Sequence, residues 1–156
     1  MIIDKNFKDI KRIENGDYVI EGNLEVEGDL EIRLDDRLVV RGNIVAGKSI
    51  NTKRTIIADQ YIKAGGGIEA GYGIEAGYGI KAGLSITAKF LDIGLRIFAG
   101  LAIWKIPSIE EMQINVEEIK NGEVCFGKVN LIETVKELTQ EEIEKQLGYK
   151  IKIVKG

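Results

Sequence analysis

Isoleucine stands at positions 44, 50, 56, 62, 68, 74, 80 and 86, every sixth residue without a miss. Leu38 begins the series. Two places after each rung sits a small or β-branched residue, from Val40, Ala46 and Thr52 through Ala58, Ala64, Ala70, Ala76 and Ala82 to Ala88. The same two-position unit occurs upstream as Tyr18/Ile20, Leu24/Val26 and Leu30/Ile32. A two-residue insertion around Asp35-Asp36 shifts the frame there. A second shift after Ile86 gives an expected continuation at Leu91, Ile97, Ile103 and Ile109.

A period of six excludes an amphipathic helix, because successive rungs would rotate around its surface. It fits a short strand that places residues i and i+2 on one side, followed by a bend. Glycines at 65, 71, 77 and 83 fall at that bend, where a tight turn or positive φ is expected. Three such units make a triangular coil of 18 residues, so that Ile50, Ile68 and Ile86 stack. The fold class is therefore all-β: a single-stranded parallel β-helix, a triangular solenoid of about five coils. Its expected limits are residues 18–109. Residues 1–17 read as an N-terminal cap, with Phe7, Ile10 and Ile13 on a short helix or an irregular lid. Residues 110–156 read as a C-terminal strand-helix-strand appendage that either caps the last coil or binds a partner.

Within the appendage, Met112 to Ile119 alternates like a strand. Asn121-Gly122 is a hairpin signal. Thr139-Gln140-Glu141-Glu142 is a capping box that opens a helix ended by Gly148. Tyr149 to Val154 alternates again.

The units Gly22-Asn23-Leu24-Glu25-Val26-Glu27-Gly28-Asp29-Leu30-Glu31-Ile32 and Arg41-Gly42-Asn43-Ile44-Val45-Ala46 resemble bactofilin repeats. Bactofilins are bacterial polymer-forming proteins built on a right-handed triangular β-helix. The resemblance implies a right-handed solenoid and self-assembly into a homo-oligomer. Bactofilin cores usually carry flexible Pro-rich tails, which this chain lacks. Leu138 to Val154 also resembles closing segments of small phage-associated proteins. That similarity implies an alternative role, a phage or mobile-element accessory protein that blocks a host protein by binding it. The left-handed β-helix enzymes of the acyltransferase and carbonic anhydrase type imply a catalytic or metal-binding His, and this chain has none.

Zero His also removes imidazole bases and ligands, and a single Cys removes a disulfide framework or a thiolate zinc cluster. Cys125, between Val124 and Phe126, reads as a buried small hydrophobe. The glycine run contains neither a dinucleotide fingerprint nor a phosphate loop. No enzyme, cofactor or metal is expected. No apolar run spans a membrane and no signal peptide precedes the chain, so the expected location is the cytoplasm.

Charge is uneven. Residues 1–37 carry 6 basic and 11 acidic groups, residues 38–109 carry 9 and 4, and residues 110–156 carry 7 and 10. A basic middle between acidic ends is either ordinary solvation or complementarity between copies. Two positions before each rung, the corner residues include Lys48, Arg54, Tyr72 and Tyr78. These four are the candidate interaction residues. Arg54 should lie beneath Tyr72 in a cation–π contact. The tyrosines either cover corners or anchor a protein partner. Lys48, Lys53 and Arg54 lack interleaved aromatics, which argues against nucleic acid as the partner.

Overall fold

The computed structural model describes residues 1–133, 138–152 and 154. Its chain winds as a parallel β-solenoid of about six turns, followed by a C-terminal helix. Each turn contributes one short strand to each of three faces. Face I stacks β1 (Ile2–Ile3), β5 (Leu30–Ile32), β8 (Ile50–Thr52), β11 (Ile68–Ala70), β14 (Ile86–Thr87), β16 (Gln113–Val116) and β18 (Lys128–Leu131). Face II stacks β3 (Tyr18–Ile20), β6 (Leu38–Val40), β9 (Ile56–Ala58) and β12 (Gly73–Ala76), then the first halves of β15 (Phe90–Phe98) and β17 (Glu118–Phe126). Face III stacks β4 (Leu24–Val26), β7 (Ile44–Ala46), β10 (Ile62–Ala64) and β13 (Gly79–Ala82), then the second halves of β15 and β17. Because β15 and β17 each run across a corner, faces II and III form one continuous sheet.

The six-residue spacing becomes an 18-residue register. Ile68 pairs with Ile50 below and Ile86 above. Ile62 lies between Ile44 and Ile80, and Ile56 between Leu38 and Ile74. All of these isoleucines are fully buried and, with the inward alanines two places on, form one core. Strands stack about 4.8 Å apart, so like side chains fill the column and the ladder N–H and C=O groups of the inner turns pair with the turns above and below.

The turns differ in length. Tyr18 pairs with Leu38 and Leu24 with Ile44, so the first coil is two residues longer than the next. The extra residues surround Asp35, whose carboxylate accepts a hydrogen bond from the Tyr18 hydroxyl at 2.7 Å. That bond raises the tyrosine pKa and lowers that of Asp35. Later, Ile74 pairs with Leu91 and Ile80 with Ile97, each turn one residue short of 18.

Beyond Ile97 the structure departs from the expected ladder. Ile103 is wholly exposed and Ile109 more than half exposed, so neither is a rung. Residues 99–102 still follow the stack, with Ala99 buried and the Gly100, Leu101 and Ala102 N–H groups donating to the Leu84, Ala82 and Gly83 carbonyls; residues 103–112 then leave it as a loop ending in a 3-10 turn at Glu110–Met112. The stack resumes at Ile114, which pairs with Ile86, and continues through Ile119, Val124 and Val129. Parallel pairing therefore runs past Ile109 to Leu131. The spacing looked continuous because the loop also carries isoleucines at six-residue intervals, and periodicity cannot see which of them bury.

Asn121-Gly122 forms no hairpin. It lies inside β17, and Gly122, at φ +116°, turns the corner between faces II and III. Cys125 is exposed, pointing away from the core while Val124 packs against it. At the N-terminus, Ile10–Arg12 forms β2, antiparallel on the outer edge of β3, with Phe7 and Ile10 packed on the core. β1 covers the edge of β5. At the other end, α1 (Gln140–Leu147) has the expected capping box at Thr139 and Glu142 and ends at Gly148 with φ +77°. It buries no residue. The strand expected at 149–154 lies partly outside the described residues, and the described part carries no strand.

Candidate interaction surfaces

The triangular section creates three corners, and each collects one corner residue per turn. The backbone ladder continues through them. At the corner from face II to face III, Gln60 N–H donates to the Gly42 carbonyl, Tyr78 to Gln60 and Leu95 to Tyr78, at 3.2, 2.8 and 2.7 Å. The corner from face III to face I runs Lys48, Gly66, Leu84 in the same way. Arg54 and Tyr72 occupy the corner from face I to face II, one turn apart. The four sequence candidates therefore sit on three separate vertices and do not converge on one site.

The local contacts also differ from expectation. The cation over the Tyr72 ring is Lys89, from the turn above, with its Nζ 4.5 Å from the ring centroid. The Tyr72 C=O is used by the corner ladder, since Lys89 N–H donates to it at 2.6 Å. That backbone bond carries Lys89 to the ring, whereas Arg54 on the turn below makes no such contact. Lys48 lines a groove of about 470 Å³ with Asp29, Ser49, Leu84 and Trp104. Trp104 comes from the 103–112 loop and its indole N–H donates to the Gly65 carbonyl at 3.4 Å. Lys105 and Glu111 tie the two ends of that loop at 2.6 Å, and the bond holds the Glu111 carboxyl below its usual pKa.

Tyr78 belongs to a larger feature. With Tyr61, Leu95 and Phe98 it surrounds Gly79 on face III, and Lys63, Lys81 and Arg96 complete the groove, about 310 Å³ in volume. Gly79 has no side chain between Tyr61 and Arg96, so its row is a depression. Among the described residues no acidic side chain lines it. Face II carries the opposite chemistry. A groove of about 370 Å³ there is lined by Ile57, Asp59, Glu75 and Asp92.

Sequence reasoning missed both grooves because it followed corners. Their charged residues stand one place after each rung: Lys63 and Lys81 on one face, Glu75 and Asp92 on the next. The six-residue frame contained that alternation. It also missed the apolar end. Past residue 95, exposed apolar side chains accumulate, including Ile103, Trp104, Ile106, Phe126, Leu131 and Ile132.

Among the described residues no group of three or more His, Cys, Asp or Glu side chains could hold a metal ion, and no helix is long and apolar enough to cross a membrane. Comparison with family models, curated proteins and solved structures returned no significant match. The class the geometry defines is a three-sided parallel β-solenoid.

Proposed function

We propose that the protein is a non-catalytic scaffold that assembles with itself through the C-terminal end of the solenoid. One observation carries this reading: among the described residues no strand pairs with the outer edges of β17 and β18, the last strands of their sheets, and exposed Phe126, Leu131 and Ile132 lie beside them. At the N-terminal end β1 and β2 cover the edges of β5 and β3, while β4 is the last strand there and, among the described residues, keeps an open edge. An edge of free N–H and C=O groups next to apolar side chains is a template for another chain. The resemblance of the repeats between Gly22 and Ala46 to those of bactofilins, which form polymers, supports the same reading.

The test is sedimentation velocity over a hundredfold range of concentration, on the natural chain and on Val129→Lys/Leu131→Lys. Mass should rise with concentration for the natural chain, and the charged edge should weaken association by about tenfold or more. High salt should not dissociate an apolar edge contact. A single monomeric species throughout would defeat self-assembly. It would favour the second reading, a rigid module that binds one host protein as a phage-type accessory.

A further inference from the structure

Two rows of like charge stand on adjacent faces of the solenoid. On face III, Lys63 and Lys81 are Cα partners on β10 and β13, with Arg96 on the next strand beside Gly79. On face II, Glu75 and Asp92 are Cα partners on β12 and β15. Like charges directly across a strand pair repel, so both rows are unfavourable in the isolated chain. Among the described residues none of these five side chains forms an ion pair. Asp92 accepts one hydrogen bond, from the Asn121 amide at 2.9 Å. Lys63 and Lys81 are exposed, and Glu75 and Asp92 half-buried.

The two rows match each other. Both repeat at the strand spacing of about 4.8 Å. Both belong to the same turns, because the chain passes Lys63, Glu75, Lys81, Asp92 and Arg96 in succession as it winds. A second copy standing side by side with its axis parallel therefore brings carboxylates to the level of the ammonium groups without sliding along the axis. Each face adds apolar surface beside its charges, Tyr61, Tyr78 and Phe98 on face III and Ile57 on face II.

We infer that face III of one copy docks against face II of a second copy, pairing Lys63 and Lys81 with Glu75 and Asp92. The repulsion within each row is relieved when the rows meet. The contact is heterologous, so it propagates, closing into a ring or extending as a ribbon. It rests on the assembling-scaffold reading only in requiring self-association; it uses different residues and a different force.

Charge reversal tests it. Three full-length variants are compared with the natural chain by sedimentation velocity: Lys63→Glu/Lys81→Glu, Glu75→Lys/Asp92→Lys, and all four changes together. All four sites lie outside the core, so each variant should keep the β-type circular dichroism of the parent. The fourfold variant also keeps the net charge of −3. Lateral association of the natural chain should be strong at about 20 mM salt and weakened at about 500 mM, where charges are screened within a few ångströms. Each double variant should associate roughly tenfold more weakly, and the fourfold swap should restore the natural strength. Unchanged association in the double variants, or no recovery in the fourfold swap, overturns the contact. The Val129→Lys/Leu131→Lys edge variant keeps both charge rows. If it still shows salt-sensitive association, the lateral contact stands while end-stacking falls; if only salt-resistant association remains in the natural chain, the reverse holds.

Discussion

At the scale of single residues, two demands explain the repeat. The first is burial. Ile68 is 1% exposed and sits between Ile50 and Ile86 in a column of identical side chains. Ile68→Asp places an unpaired carboxylate in that column and is expected to lower stability by more than about 4 kcal/mol. Ile68→Val removes one methyl and should cost about 1 kcal/mol. Denaturant unfolding followed by circular dichroism measures both; similar costs would mean that water reaches the column. The second demand is close approach. The sequence suggests that the corner glycines supply positive φ, but Gly65 and Gly83 are not among the glycines with positive φ. They stack on one corner with Gly47, and a methyl on Gly65 or Gly83 would collide with the carbonyl oxygen of the glycine one turn below. Glycine is required there because two backbones touch.

At the scale of elements, the strands and the helix are stabilised by different forces. Apart from β15 and β17, the strands are two to four residues long, and they draw their stability from stacking. α1 stands on its own local chemistry. Glu142 accepts from the Thr139 backbone N–H at 2.8 Å and the Thr139 hydroxyl lies 3.0 Å from the same carboxylate oxygen. These bonds lower the Glu142 pKa from 4.5, the backbone bond contributing most. A carboxyl whose pKa is depressed on folding stabilises the folded state above its unfolded pKa, and that contribution disappears as pH falls through the folded value. Acidification below 4.5 should therefore fray α1 while the solenoid, held by its column of aliphatic side chains, persists. Amide chemical shifts of residues 139–147 against those of the strands would show it; simultaneous loss of both would tie the helix to the solenoid. The capping box and Gly148 made this helix readable from sequence, since both ends are specified locally. The Asn121-Gly122 hairpin was a misreading of an equally local signal. Gly122 does adopt positive φ, but the long strand β15 lies below it, and parallel pairing with β15 carries β17 straight across the corner.

At the scale of the whole molecule, each turn rests on its neighbours, so stability should follow the number of stacked turns. Ile114 covers Ile86, and Ile119 and Val124 cover Leu91 and Ile97. Ending the chain after Ile132 leaves these contacts intact and should shift Tm by no more than about 3 °C. Ending it after Ile109 uncovers three rungs and should lower Tm by about 10 °C or more. Thermal melts of the two truncations decide this, and equal melting temperatures would show that the strands beyond Ile109 add nothing to the stack.

The sequence alone determined the kind of fold, because a period of six with paired inward residues admits a coiled ribbon of strands and no helix. It also determined the inward side of nearly every strand up to Ile97, as burial there follows from position within the unit. Register and proximity were decided only in the tertiary structure. The spacing of Ile103 and Ile109 matches that of Ile62 and Ile68, yet a loop of ten residues, 103–112, can leave the stack at little entropic cost, and the next strand then chooses its own partner. Likewise, Lys63 and Lys81, or Glu75 and Asp92, become neighbours only when the backbone has turned through three corners. Charge rows, grooves and open edges are properties of that winding, and one-dimensional spacing does not contain them.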